Sequence, residues 1–231
     1  MDDSQLKNLI KSYKPNSQTR VAASGIKMLA TVGPSASGKT TIMRALAKSD
    51  PNFNLAIGES TRLPRPNEQE YQDMVYRPEA EIIADIKAGN LFQVVTGPNG
   101  HLYCTRPQDF STDKTNLYPL IPQGVRQFRA LSLKFFAAAF IVPADFGNWQ
   151  GWLDSQAKLS GWDEAQLAGR LAEAKTSYEF ALNDKQMHFV LNDDIDKAAE
   201  RLRQVGQGQA PDDEKMAREI AQSNFAKLIR I

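Results

Sequence analysis

The stretch Gly33-Pro34-Ser35-Ala36-Ser37-Gly38-Lys39-Thr40 constrains this chain more than any other. It has the form G-x-x-x-x-G-K-[ST], which acts only where a strand precedes it and a helix follows it. Both are legible. Lys27-Met28-Leu29-Ala30-Thr31-Val32 reads as a buried strand, and Thr41 to Lys48 reads as a helix closed by Ser49-Asp50-Pro51. In that setting the backbone N–H groups of the glycine-rich turn close around phosphate oxygens. Lys39 reaches the β- and γ-phosphates of a nucleoside triphosphate, and the Thr40 hydroxyl can ligate Mg²⁺. The candidate triphosphate-binding residues are therefore Gly33, Pro34, Ser35, Ala36, Ser37, Gly38, Lys39, Thr40 and Thr41.

The rest of the chain narrows the setting. Its 231 residues can bury a core in one domain, with room for a mobile subdomain. A net charge of +1 predicts no nucleic-acid or membrane field, so any basic site is local. One cysteine, Cys104, excludes an intrachain disulfide framework and fits a reducing compartment. The longest apolar run, Phe135 to Val142, falls far short of the roughly 20 residues that span a bilayer. The acidic start, Met1-Asp2-Asp3-Ser4, is unlike a signal peptide, and the expected location is the cytoplasm. Monomer and homodimer both fit this reading.

Periodicity predicts an α/β fold of the P-loop NTPase type, a mostly parallel sheet flanked by helices with the phosphate site at strand carboxyl ends. Residues 1–25 read as an extension, a short amphipathic helix over 3–13 and then a loop from Lys14 to Ser24, packing on the core. The main domain is expected over 26–205. Within it, a β-rich insert near 58–105 breaks the strand–helix alternation, with a strand at Leu55 to Glu59 and a hairpin turning at Gly97-Pro98-Asn99-Gly100. Asn116 to Ile121 is apolar but carries Pro119, which cannot donate to a sheet ladder. Phe146 to Lys158 and Asp163 to Asn183 read as helices, separated by Ser160-Gly161. Residues 206–231 read as a linker and a last helix.

A second basic element follows the loop. In Ser60-Thr61-Arg62-Leu63-Pro64-Arg65-Pro66-Asn67-Glu68, Arg62 and Arg65 can aim two guanidinium forks at one anion. A second phosphate beside a triphosphate site suggests phosphoryl transfer between two phosphate-bearing substrates. This stretch is similar to the S/T-T-R-x-P-R-x-G-E of the guanylate kinases, with Asn67 for the glycine. Tyr103-Cys104-Thr105 resembles their Y-G-[ST], and Gln123-Gly124-Val125 their Q-G-[AV]. Gly169-Arg170-Leu171 with Ala174-Lys175 resembles their R-L-x-x-A, and Leu191-Asn192-Asp193-Asp194 their V-N-D-D. The blocks run in family order from about residue 26 to 205. The resemblance implies ATP on Lys39 and the loop amides, with Mg²⁺ on Thr40 and Asn192 near the adenine. It implies an acceptor phosphate on Arg62, Arg65 and Tyr103, with Thr105, Gln93 and Tyr76 lining the acceptor site. It also implies a lid and lid helix over about 146–175, from which Arg170 would reach the transferring group, so Lys39, Arg62 and Arg170 are the catalytic candidates. Trp149, Trp152 and Trp162 read as packing, and Asn192-Asp193 as a helix N-cap.

The departures from the family fall on the acceptor side. Its guanine-reading glutamate is Gln93 here, and the aspartates of its D-I-D are Pro119 and Ile121. Its first base-contacting serine aligns with about Gly58, and its tyrosine in D-Y-x-F aligns with Met74, near Tyr76. Of the lid's usual arginine pair only Lys158 is basic. Glu59 and Asp73 are the carboxylates left to support Mg²⁺. The expected reaction is ATP-dependent phosphorylation of a nucleoside monophosphate, GMP first. Another phosphorylated acceptor such as ribose 1,5-bisphosphate, or a non-catalytic binding module of the same fold, is the alternative.

Overall fold

The computed structural model describes residues 2–64, 74–97 and 100–231. Among them the strand β1 (Lys27–Val32) lies at the centre of a parallel sheet in the order β2 (Phe53–Leu55), β7 (Thr115–Pro119), β1, β8 (Phe135–Pro143), β9 (Met187–Asn192). Successive side chains of β1 point to opposite faces, and both faces are apolar, as a doubly covered parallel strand requires. On one face Leu29 meets Ile42, Leu46 and Leu202 of the helices α3 (Lys39–Ser49) and α8 (Ile195–Gly206). On the other, Met28, Ala30 and Val32 join Phe128, Trp149, Tyr178 and Leu228. These come from α5 (Pro122–Arg129), α6 (Phe146–Ser160), α7 (Glu164–Asn183) and α9 (Glu214–Leu228).

A second sheet stands apart from the first, in the order β4 (Val75–Tyr76), β3 (Glu59–Ser60), β6 (Leu102–Thr105), β5 (Gln93–Thr96). The strand expected at Leu55 to Glu59 is therefore two strands in two sheets. Phe53–Leu55 pairs with β7, while Glu59–Ser60 pairs with β6. The chain leaves the central sheet between them, at Ala56 to Gly58. Pro119 is accommodated at the last residue of β7, where it exposes its ring, and the ladder resumes with Leu120 N–H donating to Thr31 O at 2.8 Å.

Residues Lys14 to Ser24, expected as a loop, contain a helix, α2 (Ser17–Ala23), with Asn16 as N-cap accepting from Thr19 N–H. Pro15 and Asn16 are the signals that precede a helix rather than exclude one. Together with α1 (Asp3–Lys11), this segment holds the second sheet from behind. Ile10 and Leu9 pack on Ile82 and Ile86 of α4 (Glu79–Ala88) and on Cys104. The Tyr13 hydroxyl accepts from Leu91 N–H at 2.8 Å and donates to Leu91 O at 2.5 Å, and burial pushes that phenol up to about 12. Asn16 and Thr19 bond the carbonyls of Ala88 and Gly89. Ala23 meanwhile is buried in the main core. The extension thus joins the small sheet to the large one. Tyr13→Phe should leave both polar groups of Leu91 without partners and lower the unfolding free energy by about 1–3 kcal/mol in a urea titration.

Candidate functional site

The loop after β1 wraps the N-terminus of α3. Gly38 occupies the N-cap with φ 88°, which favours glycine. Packing makes the same demand, since a Cβ there would lie 2.5 Å from Asn192 Nδ2. Ala36 also adopts a left-handed φ of 62°, the kind of strained backbone that persists where surroundings over-determine it. Two side chains do so. Asn192 Nδ2, at the end of β9, donates to Ser37 O at 2.9 Å, and Trp149 Nε1, from α6, donates to Ser35 O at 2.9 Å. Asn192, expected near the adenine, thus has its amide nitrogen committed to the loop. The helix cap expected at Asn192-Asp193 is instead Asp194, which accepts from Asp196 and Lys197 N–H.

Lys39 is folded back into the loop and half-buried. Its Nζ donates to Gly33 O at 2.8 Å and Pro34 O at 2.7 Å, and stands 3.4 Å from Ser37 Oγ. Burial lowers its ammonium to about 8, with Glu173 raising it and Arg170 lowering it further. Those two residues are on α7, so the helix delivers a cation to the loop. Arg170 is held there by Glu173 at 2.9 Å and by stacking 5.2 Å from the Trp162 ring centroid. Thr40 and Thr41 are exposed at the start of α3.

On the second sheet, Gln93 lies directly opposite Thr105, and Tyr103 opposite both Val95 and Ser60. Alternation puts Gln93, Tyr103, Thr105 and Ser60 on one face. Among the described residues, Gln93 Oε1 and Thr105 Oγ1 are buried without a hydrogen-bond partner. Arg62 is buried beside this sheet, its guanidinium 5.4 Å from the Tyr76 ring centroid and 3.0 Å from Leu63 O. Arg65 and Asp73 lie outside the described residues.

Glu59 is on the opposite face, against α4. It is fully buried between Arg77, at 2.7 Å, and Arg106, and Arg77 also pairs with Asp85 at 2.8 Å. The structure therefore corrects its expected role: this carboxylate ties the small sheet to α4 and does not support Mg²⁺. Among the described residues no three His, Cys, Asp or Glu side chains gather as a metal site, and no helix is long and apolar enough to cross a membrane.

A phosphate loop at the centre of a five-stranded parallel sheet, a small second sheet with an arginine beside it, and a helix that brings another arginine to the loop define a P-loop kinase acting on a second phosphorylated substrate. The guanylate kinase family model matches residues 26–208, and the chain belongs to that family of nucleoside monophosphate kinases. It is similar to the guanylate kinase of Cereibacter sphaeroides, 28% identical over 182 residues that cover 77% of this chain and 84% of the relative. For the guanylate kinase of Thermosynechococcus vestitus the identity is 31% over 176 residues, covering 74% and 88%. The crystal structure of guanylate kinase from Anaplasma phagocytophilum superposes with a TM-score of 0.57 at 16% identity, covering 80% of this chain and 86% of that one, and shares the fold.

Trp149, Glu173 and the Asn192–Ser37 bond were not legible as site features. Each joins residues far apart in sequence, and Trp149 is also buried as packing residues are.

Lys39 sets a pH dependence. Its folded value lies below the ordinary lysine value of roughly 10.4, so the unfolded chain binds more protons between about pH 8 and that value. Stability therefore rises with pH across that window, and below it the buried charge weakens the fold. Phosphate oxygens favour the ammonium, so ATP binding at pH 8.5 should take up a proton, seen by calorimetry in buffers of different ionisation enthalpy. The dissociation constant for ATP should rise about tenfold from pH 7 to pH 9. Lys39→Met should abolish ATP binding without lowering the melting temperature at pH 7.

Proposed function

We propose that this protein transfers the γ-phosphoryl group of ATP to GMP, giving ADP and GDP. The observation that carries this reading is that α7 brings the Arg170–Glu173 pair to the loop, where Arg170 lowers and Glu173 raises the basicity of Lys39, within a chain matched by the guanylate kinase family model over 26–208. Two cations converge at the loop with Glu173 as their counter-charge. That is an arrangement for a group carrying several negative charges.

The loop amides and Lys39 hold the triphosphate. When the nucleotide displaces the Gly33 and Pro34 carbonyls from Lys39, its Nζ turns to the β- and γ-phosphates. Thr40 is the protein oxygen for Mg²⁺, which fits an ion that binds mainly through phosphates and water with one or two protein oxygens. Bound there, the ion would neutralise phosphate charge. Arg62, already ordered against Tyr76, takes the acceptor phosphate together with Arg65 and Tyr103. Arg170 meets the charge that develops on the transferring group. Catalysis is positioning and electrostatic stabilisation, with no covalent step on the protein. The α6–α7 pair is the lid that keeps water out.

Gln93 and Thr105 face the acceptor base. A neutral amide in place of a carboxylate binds the N1–H and 2-amino donors of guanine less strongly. A coupled assay of ADP release should show turnover with GMP and the highest kcat/KM for it among GMP, dGMP, AMP, UMP, CMP and ribose 1,5-bisphosphate. Lys39→Ala should abolish it. ATP binding with no turnover on any acceptor would instead identify a binding module. Gln93→Glu should raise the GMP-to-AMP ratio of kcat/KM by about tenfold, the difference between a neutral and a charge-assisted hydrogen bond. An unchanged ratio would remove the base from this position.

A further inference from the structure

Tyr118 belongs to the central sheet but ends in the small one. It is the fourth residue of β7, 5% exposed, and its ring lies in the main core 6.3 Å from the Phe110 ring centroid. Its hydroxyl reaches Gly58, just before β3. A Cβ on Gly58 would stand 1.9 Å from Tyr118 Oη, 2.7 Å from Cζ and 2.9 Å from Cε2. Gly58 is not among the residues with positive φ, so its backbone does not call for glycine. The Tyr118 phenol does: it fills the volume that a side chain at 58 would take.

That volume lies on the substrate side of the small sheet. Gly58 immediately precedes β3 and its carbonyl accepts from Val75 N–H at 2.9 Å, continuing the β3–β4 pairing, and the alternation of β3 carried back to it gives it the direction of Ser60, on the face of Tyr103, Thr105 and Gln93. The opposite direction is taken by Glu59, toward α4. Gln93 Oε1 and Thr105 Oγ1, each on a side chain at least 99% buried, have no partner among the described residues, and buried polar groups are rarely left so unless a ligand or water completes them. Burial raises the Tyr118 phenol well above its ordinary value, with Cys104, Asp109, Tyr103 and Glu59 adding to the rise. The group is therefore a neutral O–H donor at every working pH.

We propose that Tyr118 is a specificity-determining residue of the acceptor site, and that its phenolic O–H donates to the carbonyl oxygen of a 6-oxopurine base. The proposal rests on the acceptor reading above. The base is read by neutral groups drawn from two sheets, the Tyr118 hydroxyl from the central one and the Gln93 amide and Thr105 hydroxyl from the small one. Glycine at 58 is the condition for that delivery, because any larger residue would evict the phenol.

The test is steady-state kinetics and calorimetric GMP binding on the full chain. Tyr118→Phe keeps the ring and removes the O–H. It should raise the KM and dissociation constant for GMP about tenfold, leaving the KM for ATP and the melting temperature within error of the parent protein. Tyr118→Leu clears the volume at residue 58, and adding Gly58→Ser to it returns a hydroxyl from the other strand. The double variant should recover at least half, on a logarithmic scale, of the GMP affinity lost by Tyr118→Leu. Gly58→Ser alone should lower the melting temperature through its overlap with the phenol. Tyr118→Phe with a GMP KM within twofold of the parent would overturn the proposal, as would equal rises for GMP and ATP. Absence of GMP turnover in the parent protein would fail the acceptor reading itself, a result separate from either.

Discussion

The contact between Gly38 and Asn192 is the constraint on which the donor site depends. The loop must bend through left-handed backbone at Gly38 and Ala36, and bent backbone alone would relax. Asn192 prevents that from the end of β9, two strands from β1, by bonding Ser37 O in a place left only by the missing Cβ of Gly38. Trp149 holds the preceding turn at Ser35 O. The loop is therefore shaped by the core before any phosphate arrives, and preorganised amides need no rearrangement when charge develops. The same logic explains why Trp149 is the most enclosed of the tryptophans: its N–H is committed to the loop, and its ring to Phe146 and the core.

The acceptor side is organised differently. Its sheet is small and shares no strand with the central one, so its position depends on what ties it down. The Glu59–Arg77–Asp85 ion pairs fasten it to α4, and residues 2–25 fasten α4 and Leu91, just before β5, to the main core through Tyr13, Asn16 and Thr19. A buried carboxylate between two arginines is weak as a source of net stability and strong as a source of geometry, since removing either partner strands a charge. These ties act at the back of the sheet and leave the opposite face to Gln93, Tyr103 and Thr105.

The phosphate loop, the alternating strands and helices, the hairpin and the last helix were legible in the sequence because each is a local pattern of period, turn and cap. Arg170 was legible as a residue but its partners were not. Glu173 is one turn away and Trp162 precedes the helix, yet the meeting with Lys39 crosses more than a hundred residues. The sheet change between Leu55 and Glu59 was missed because Leu55-Ala56-Ile57-Gly58, four apolar and small residues in a row before Glu59, read as one strand. Only the partner strands, β7 for the first part and β6 for the second, divide it. The helix α2 was missed because Pro15, Asn16 and Ser17 mark both loops and helix starts. Glu59 was misread because a carboxylate near a phosphate site suggests a metal, while the alternation of β3 turns it to the opposite face.

The two halves of the site differ in charge as well as in construction. At the donor side, Lys39 is held below its ordinary basicity by burial and by Arg170, with Glu173 as counter-charge, so phosphate binding relieves an electrostatic cost already present in the folded chain. Affinity for the triphosphate is thereby coupled to the position of α7. In the proposed acceptor site the groups at the base end are neutral, an amide and two hydroxyls, so discrimination there would depend on geometry and on unpaired atoms rather than on charge. The two halves thus divide by charge, with Lys39 and Arg170 around the loop and the neutral Gln93, Thr105 and Tyr118 at the small sheet.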